Sequence, residues 1–410
     1  MKAFEENPAD VKRADIVVGI PSYNEAANIA FPTMQAALGL KEYFGQMDSV
    51  IIDCDNCSSD GTGNVFMNTD TKGIPKIYLS TPKGVRGKGN NIKNLFRKAL
   101  ELNARAVIMV DADLQSITPR WIKNLGEPLF NDFAFVAPLY VRHKYDGPVT
   151  YNIVYPLSRC LYGRRVRQPI GGDFGFTGTM AGVFLKNELW DEDVSQFGID
   201  AWMTTIAMNE GVPICQAFMG KAKFNEARDP AVDPGPAFRQ VIGTVFRLME
   251  AYRNKWKAVK WSKPTAIFGF GFGEVEGPPL VTVNREKLYH RFREGFSSNW
   301  ETYRSILSFE NHQKVREVAS LDMDHFEMPV SVWARTLFDF AVCYHNRAMD
   351  RTRLIEMLIP LYYGMTLSFV NKTEGMSILQ AEEFLEDMCL TFEQTKPYIV
   401  DRWDREKGVA

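Results

Sequence analysis

The stretch VIMVDADLQS, Val107–Ser116, places four apolar residues directly before two aspartates, Asp111 and Asp113. Such a run predicts a buried strand that ends in two carboxylates at the rim of a sheet. Two carboxylates this close disfavour each other's ionisation unless a cation compensates. Mg²⁺ or Mn²⁺ would compensate, because hard cations share their oxygen ligands between carboxylates and substrate phosphates. On its own, the stretch fits either a metal–diphosphate site or a structural turn.

Short apolar runs alternate with amphipathic ones on both sides of this stretch. DIVVGIPSYNE, SVIIDCD and KIYLST read as strands, and NIAFPTMQAALGLKEYF and GKGNNIKNLFRKALELN read as helices. This alternation favours an α/β fold with a doubly wound, mostly parallel sheet. Ligands of such sheets bind beyond the carboxyl ends of the strands. A site is therefore expected where the strand ends meet. The residues at these ends are Pro21, Ser22, Tyr23, Asp55, Asp111 and Asp113.

Composition narrows the class of protein. The chain has 410 residues with 48 basic and 50 acidic side chains, which favours neither a nucleic acid nor an anionic membrane as partner. It starts with a charged segment rather than an apolar signal, so a cytoplasmic protein is expected. The apolar run LIEMLIPLYYGMTLSFV contains Glu356 and Pro360. It is shorter than the roughly 20 residues of a membrane span, so we interpret it as a core helix.

Two short motifs allow more than one interpretation. Cys54 and Cys57 form a C-x-x-C, typical of redox or zinc sites, but no second pair follows and reduced structural thiols are favoured. GVRGKGNN places Lys88 between glycines just before a helix, where close backbone approach, the helix N-terminus and a lysine all favour an anion. A solvated turn is the alternative.

The motifs PSYNE, DNCSSDGT, RGKG and VDADL, in this order over about a hundred residues, resemble the nucleotide-sugar-binding half of a GT-A glycosyltransferase. Further along, DGPVTYNIVYPLSRCLYGRRVRQPIGGDFG, FGIDAWMTT and CQAFMGKAKFNEARDP resemble the glucosyl-3-phosphoglycerate and glucosylglycerate synthases, to which mannosylglycerate synthases are related. The resemblance implies a retaining, metal-dependent transferase. Such an enzyme moves glucose or mannose from a nucleotide diphosphate sugar to the 2-hydroxyl of D-glycerate or 3-phosphoglycerate, making a compatible solute or its precursor.

The resemblance also implies a role for each matching position. Asp113 and Asn225 would bind Mg²⁺ or Mn²⁺, Asp173 and Asp200 would lie near the transferred sugar, and Thr150 and Arg167 would contact the acceptor. The donor would be bound by Pro21, Ser22, Tyr23, Glu25, Asp55, Asn56, Lys88, Asp111, Ala112, Gly171 and Gly172.

Two positions depart from the family pattern. Asn225 stands where the family typically has a metal-binding histidine, and an amide oxygen brings neither imidazole nor charge. Pro148 stands where the phosphoglycerate enzymes have an arginine near the acceptor phosphate, which weakens the case for a phosphorylated acceptor. Arg142, Lys144 or the arginines of GRRVRQ could take that role.

The sequence allows more than one reaction mechanism and more than one functional class. We favour front-face attack, in which the leaving diphosphate accepts the acceptor proton and Asp200 positions the sugar. In an inverting enzyme, Asp173 or Asp200 would be the general base. The alternatives are an inverting family-2-like transferase on another acceptor and an inactive nucleotide-sugar-binding protein.

We expect a catalytic core over 1–230, a Pro/Gly/aromatic connecting segment over 231–284 and a helical subdomain over 285–410, in a homodimer.

Overall fold

A mixed sheet of nine strands is the scaffold of the candidate site in the computed structural model, which describes residues 4–223, 229–270 and 277–405. Its order is β1-β4-β3-β2-β5-β7-β6-β8-β9. The strands are β1 (Phe4–Glu6), β2 (Ile16–Ser22), β3 (Ser49–Asp55), β4 (Lys76–Ser80), β5 (Ala106–Met109), β6 (Phe135–Leu139), β7 (Phe174–Thr177), β8 (Ile214–Phe218) and β9 (Ala266–Phe268).

The central strands β4, β3, β2 and β5 run parallel to one another, and so do β6, β8 and β9. Every residue of β2 and β3 is buried, as expected of strands covered on both faces. The predicted mostly parallel α/β fold is confirmed. The sequence did not predict the direction of β7, which is antiparallel to both of its neighbours, β5 and β6.

The helices that alternate with these strands along the first unit pack against the sheet, as the alternating pattern predicts. In the third helix, Ile92, Leu95, Phe96 and Ala99 are buried because their spacing places them on one face. The helices are α1 (Ala30–Tyr43), α2 (Thr62–Asn68), α3 (Lys88–Glu101), α4 (Pro119–Gly126), α5 (Tyr155–Tyr162), α6 (Gly178–Lys186), α7 (Glu192–Ser195), α8 (Ile199–Glu210), α9 (Gly235–Ala251), α10 (Arg253–Ala258), α11 (Arg285–Ser298), α12 (Trp300–Ile306), α13 (Phe309–Ala319), α14 (Val330–Asn346), α15 (Arg351–Thr373) and α16 (Ile378–Arg405).

The chain forms two units. The first contains the sheet and comprises Met1–Arg142, Val166–Glu226 and Thr265–Pro279. The second comprises His143–Arg165, Ala227–Pro264 and Leu280–Ala410. The expected helical C-terminal region is observed in the second unit. The domain boundaries expected at 230 and 284 rest on the composition of the sequence and remain a prediction.

Buried polar side chains hold the helices of the second unit together. Asp339 of α14 is fully buried and accepts hydrogen bonds from the Ser308 backbone N–H (3.0 Å) and the Tyr398 hydroxyl (2.6 Å). Arg402 lies 3.4 Å from the same carboxylate. Burial raises the pKa of Asp339 from its ordinary value of 3.8 to about 6, although Arg402 opposes the shift. This carboxyl therefore couples α14 to α16 in a way that depends on its proton.

Two sequence-based interpretations concern single segments. Among the described residues, α15 is the helix that is long and apolar enough to cross a membrane, and 78% of its most apolar window is buried inside the protein. The six cysteines are free thiols. Cys54 is buried in β3 and Cys57 is exposed in the turn that follows, so the two occupy different environments.

Candidate active site

A cavity of about 470 Å³ lies at the carboxyl ends of β2, β3 and β5, beside the first residues of α3. This is the edge of the sheet at which the sequence predicts a site. Nine residues predicted from the sequence line this cavity: Pro21, Ser22, Tyr23, Glu25, Asn56, Lys88, Asp111, Ala112 and Asp113. The other lining residues are Arg86, Gly87, Asn91, Gln196 and Phe197.

Asp111 lies between two lysines. Lys88 Nζ donates to its Oδ1 (2.9 Å) and Lys223 Nζ donates to its Oδ2 (2.5 Å), so both carboxylate oxygens are paired. Burial alone would raise the pKa of Asp111, but the two ammonium groups together hold it well below its usual range. The first aspartate of the Asp-x-Asp stretch is therefore a fixed anion at the edge of the cavity.

Lys88 has a second carboxylate partner, Asp200 near the start of α8, at 3.2 Å from its Nζ. Burial would lower the pKa of Lys88, but Asp111 and Asp200 raise it overall, so the side chain is an ammonium. Asp200 is 8% exposed, and its Oδ1 is buried without a hydrogen-bond partner among the described residues. Burial raises the pKa of Asp200 despite the nearby Lys88. Asp200 does not line the cavity itself and borders it through Lys88.

Asp173 supports Asp111 from within the protein. Because β7 runs antiparallel to β5, the residue before β7 meets the residues after β5 at the same edge of the sheet. Asp173 Oδ1 accepts from the Asp111 backbone N–H (2.9 Å), while Oδ2 accepts from the Tyr140 hydroxyl and from Lys223 Nζ (3.1 Å). Burial first, and then Asp111, raise the pKa of Asp173, against the effect of Lys223. This carboxylate is fully buried and does not line the cavity.

Gly172 explains how the preceding loop passes so close to this network. Its φ of +88° lies in the left-handed region, which glycine adopts without strain. A Cβ at this position would collide with Asp111 Oδ2 and lie 2.6 Å from Lys223 Nζ. The backbone carbonyl of neighbouring Gly171 accepts from Lys223 Nζ (2.9 Å). The two predicted glycines therefore shape the aspartate–lysine network and do not line the cavity themselves.

Two other carboxylates, Asp113 and Glu25, also line the cavity. Among the described residues, no lysine or arginine forms an ion pair with Asp113 or Glu25. Burial raises the pKa of Asp113, and the negative charge of Asp111 raises it further. Burial also raises the pKa of Glu25, although Asn28 Nδ2 donates to its Oε2 (2.7 Å). Both groups would be stabilised as anions by a cation in the cavity.

These side chains fit a divalent cation only in combination with a substrate. Within residues 4–223, 229–270 and 277–405, no group of three histidine, cysteine, aspartate or glutamate side chains could hold a metal by itself. Mg²⁺ commonly takes one or two carboxylates together with substrate phosphates, and Asp113 suits that arrangement. Asn225, the second predicted ligand, lies outside the described residues.

Below the cavity, Ser22 connects two aspartates of β3. Its hydroxyl lies 2.6 Å from Asp53 Oδ1 and 3.2 Å from Asp55 Oδ1. Asp55 Oδ2 accepts from the Tyr78 hydroxyl (2.8 Å). Burial raises the pKa of Asp53 well above its usual range, although the hydrogen bond from Ser22 opposes the shift. Asp55 is buried and holds the turn after β3, while its neighbour Asn56 lines the cavity.

Residues 17–188, which contain Lys88, Asp111, Asp113 and Asp173, match the family model described as Glycosyl transferase family 2. Over this segment the chain is similar to the family 2 glycosyltransferases. Asp200 and Lys223, which complete the charged network, lie beyond the matched segment. No curated protein matches the chain.

Solved structures give weaker similarities. Glucosyl-3-phosphoglycerate synthase from Mycobacterium tuberculosis, in complex with Mn²⁺, UDP and glucosyl-3-phosphoglycerate, is 21% identical over 57% of this chain and 80% of its own, with a TM-score of 0.45. The same enzyme with Mn²⁺, UDP-glucose and glycerol 3-phosphate is 22% identical over 57% of this chain and 80% of its own, with a TM-score of 0.44. A structure described only as a mycobacterial protein is 17% identical over 58% of this chain and 74% of its own, with a TM-score of 0.43. At these TM-scores, the similarities carry no weight for substrate or mechanism.

The two residues predicted to bind the acceptor are not among those that line the cavity. Thr150 belongs to the second unit, where it begins a π-helical turn, Thr150–Val154, that leads into α5. Arg167 belongs to the first unit, and its backbone N–H donates to Gln216 Oε1 (2.7 Å). Neither side chain lines the cavity, and their roles remain predictions.

The rim of the cavity contains residues that sequence reasoning did not single out. The Arg86 guanidinium lies over the Tyr23 ring at 5.2 Å, and Gln196 Nε2 donates to the Arg86 carbonyl (3.0 Å). Phe197 is 52% exposed although it lines the cavity. A Cβ at Gly89 would collide with the Val194 carbonyl, so this glycine lets the segment before α8 lie directly against α3. Arg86 and Phe197 are the first residues of the motifs RGKG and FGIDAW, so the motifs themselves could have indicated these two positions.

Proposed function

We propose that this chain is a metal-dependent retaining hexosyltransferase acting on a glycerate-like acceptor. It moves glucose or mannose from a nucleotide diphosphate sugar to the 2-hydroxyl of D-glycerate or 3-phosphoglycerate. The observation that carries the proposal is one cavity in which the Lys88 ammonium lies near Asp113, a carboxylate without an ionic partner among the described residues. A diphosphate needs cations and an unpaired carboxylate needs one too, so a metal–diphosphate complex satisfies both.

The metal would be held by Asp113, with Asn225 as the second predicted ligand. When bound, a divalent cation stabilises the negative charge that develops on the leaving diphosphate. The protein adds its own cation at the same place, because Lys88 is held as an ammonium by Asp111 and Asp200. Such preorganised charge stabilises a transition state without reorganisation when the bond breaks.

Asp111 and Asp173 prepare the site for the donor. Asp111 is ionised and anchored by two lysines, and its remaining lone pairs can accept hydrogen bonds from a ribose hydroxyl. Asp173 has both oxygens engaged inside the protein, so it is a positioning residue that fixes Asp111 and Lys223. Its enclosure argues against a role as general base.

Asp200 is the carboxylate that we assign to the sugar or the acceptor. Its Oδ2 pairs with Lys88, while its Oδ1 is buried without a hydrogen-bond partner among the described residues, so a substrate hydroxyl that reached it would satisfy it. In front-face attack, the leaving diphosphate accepts the acceptor proton, so Asp200 orients hydroxyl groups and needs no change of protonation. In an inverting enzyme, the same oxygen would instead remove the acceptor proton.

A donor–acceptor matrix tests this function. UDP-glucose, ADP-glucose and GDP-mannose are paired with D-glycerate and 3-phosphoglycerate in Mg²⁺ or Mn²⁺, and products are identified by mass spectrometry and proton NMR. We expect an α-linked glycoside from one donor, abolished in Asp113→Asn and retained in Asp132→Asn, a matched change at an exposed aspartate. A β-linked product would establish inversion. Nucleotide binding without any product or donor hydrolysis would favour an inactive binding protein.

The cellular setting is part of the same proposal. We place the enzyme in the cytoplasm as a homodimer that makes a compatible solute or its precursor. Light scattering at several protein concentrations tests the dimer, and fractionation of cells that express a tagged full chain tests the location.

A further inference from the structure

A second cavity, of about 850 Å³, lies in the first unit against one face of α3. Its lining comes from β1, β4, the segment that follows β4 and one stripe of α3. It shares no lining residue with the candidate active site. The two cavities are neighbours in sequence, because Val85 lines this one and Arg86 and Lys88 line the other.

The charges around this second cavity do not balance. Its lining includes four basic and two acidic side chains, which gives a formal charge of +2. Both acidic residues, Glu5 and Glu101, accept hydrogen bonds from Lys98 Nζ, at 2.6 Å and 2.8 Å. These two carboxylates neutralise the charge of Lys98, whose side chain is 4% exposed. Three cations remain without a carboxylate partner in the described part of the chain: Lys83, Lys93 and Arg97.

Two of these cations are held near each other although they repel. Lys93 and Arg97 are separated by four residues on α3, a spacing at which like charges destabilise a helix. Lys93 Nζ lies 4.2 Å from the centre of the Trp190 ring, which keeps this ammonium in place. Burial lowers the pKa of Lys93, and the charge of Arg97 lowers it further. Arg97 Nη1 donates to Asn94 Oδ1 (3.1 Å), so the guanidinium is oriented as well.

We propose that this cavity binds a phosphate-class dianion, as free phosphate or as a phosphate monoester, between Lys83, Lys93 and Arg97. A dianion neutralises the formal charge of the cavity and removes the repulsion along α3. A guanidinium binds phosphate through two parallel hydrogen bonds, and a lysine adds a point charge. The volume exceeds that of phosphate alone and accommodates the organic part of a monoester.

Isothermal titration calorimetry on the full chain, at fixed ionic strength, tests this site with sodium phosphate and with fructose 6-phosphate. We expect the double variant Lys93→Gln/Arg97→Gln to bind phosphate at least about tenfold more weakly, because two charge-assisted contacts are lost. The control Lys41→Gln/Lys186→Gln removes the same charge from exposed positions on α1 and α6 and should bind as the wild type does.

Further arms separate this site from the candidate active site. Lys88→Met should retain phosphate binding, since Lys88 does not line this cavity. Asn94→Asp keeps the shape of the cavity and should also weaken binding, which tests the site even if the double variant does not fold. Tighter binding of the sugar phosphate identifies a monoester, and equal binding identifies free phosphate. Unchanged affinity in the double variant and in Asn94→Asp, loss of binding in Lys88→Met, or no binding to the wild type would overturn the proposal.

Discussion

Gly172→Ala is the substitution for which the structure makes the sharpest prediction. An alanine at φ +88° is strained by about 1–2 kcal/mol, as for any left-handed non-glycine residue. Its Cβ would also collide with Asp111 Oδ2 and lie 2.6 Å from Lys223 Nζ. Asp111 is also paired with Lys88, and Lys223 with Asp173, so neither side chain can move without disturbing a second ion pair. Overpacking of this kind costs about 1–3 kcal/mol, so we expect a total destabilisation of about 2–5 kcal/mol.

Gly211→Ala is the matched control. Gly211 follows α8 with φ +70°, and a Cβ there would meet nothing within 4 Å. It should therefore lose only the conformational part, about 1–2 kcal/mol. The two variants differ in the collision with Asp111 and Lys223 and share the backbone strain.

Urea denaturation followed by circular dichroism measures both free energies of unfolding, and nucleotide diphosphate titration measures the effect on the site. Gly172→Ala should also weaken donor binding, because displacing Asp111 moves Lys88 with it. Equal destabilisation by the two alanines, with unchanged nucleotide affinity, would refute the view that Gly172 fixes this network.

Three other substitutions separate the roles of charged side chains. Asp113→Asn should leave the unfolding temperature within about 1 °C and abolish metal-dependent nucleotide binding, and a large loss of stability would instead assign Asp113 a structural role. Lys88→Met removes the shared ionic partner of Asp111 and Asp200, so we expect the protein to lose about 3 kcal/mol of stability. Nucleotide binding measured by calorimetry should be at least about tenfold weaker. Unchanged affinity would show that Lys88 is not part of the site. For Asp339, the folded pKa of about 6 exceeds the ordinary 3.8, so the folded state holds this proton more tightly. Its contribution, about 3 kcal/mol, is present at pH 4 and lost as the pH rises through 6. Urea titrations of Asp339→Asn should lack that slope, and the same slope in both proteins would contradict the assignment.

The sequence predicted the edge of the sheet that holds the site because the apolar runs and their polar ends are local signals. Pro21 lies at the end of β2, and Asn56 and Asp113 come after β3 and β5, whose parallel arrangement with β2 places the three carboxyl ends together. The resemblance to a transferase family added Lys88 and Asp200 as members of one site, and the structure places them 3.2 Å apart.

Other parts of the site depend on tertiary contacts that no local pattern encodes. Lys223 is 112 residues from Asp111, and nothing in its neighbourhood indicates a buried ammonium. Tyr140 pairs with Asp173 only because β7 is antiparallel, and short apolar strands do not reveal their direction. Asp53 lies within a strand read as apolar, so its buried carboxyl was not distinguished from its neighbours.

The position of β9 at the end of the sheet has a consequence for protein synthesis. β9 pairs with β8, but α9 and α10 lie between them in the chain. A ribosome therefore completes β8 about fifty residues before its partner strand exists. During that interval the outer edge of β8 has unpaired N–H and C=O groups, the kind of edge that recruits other chains. The outer edge of β8 therefore depends on other cover, such as a chaperone or the ribosome surface, until Ala266–Phe268 has been made.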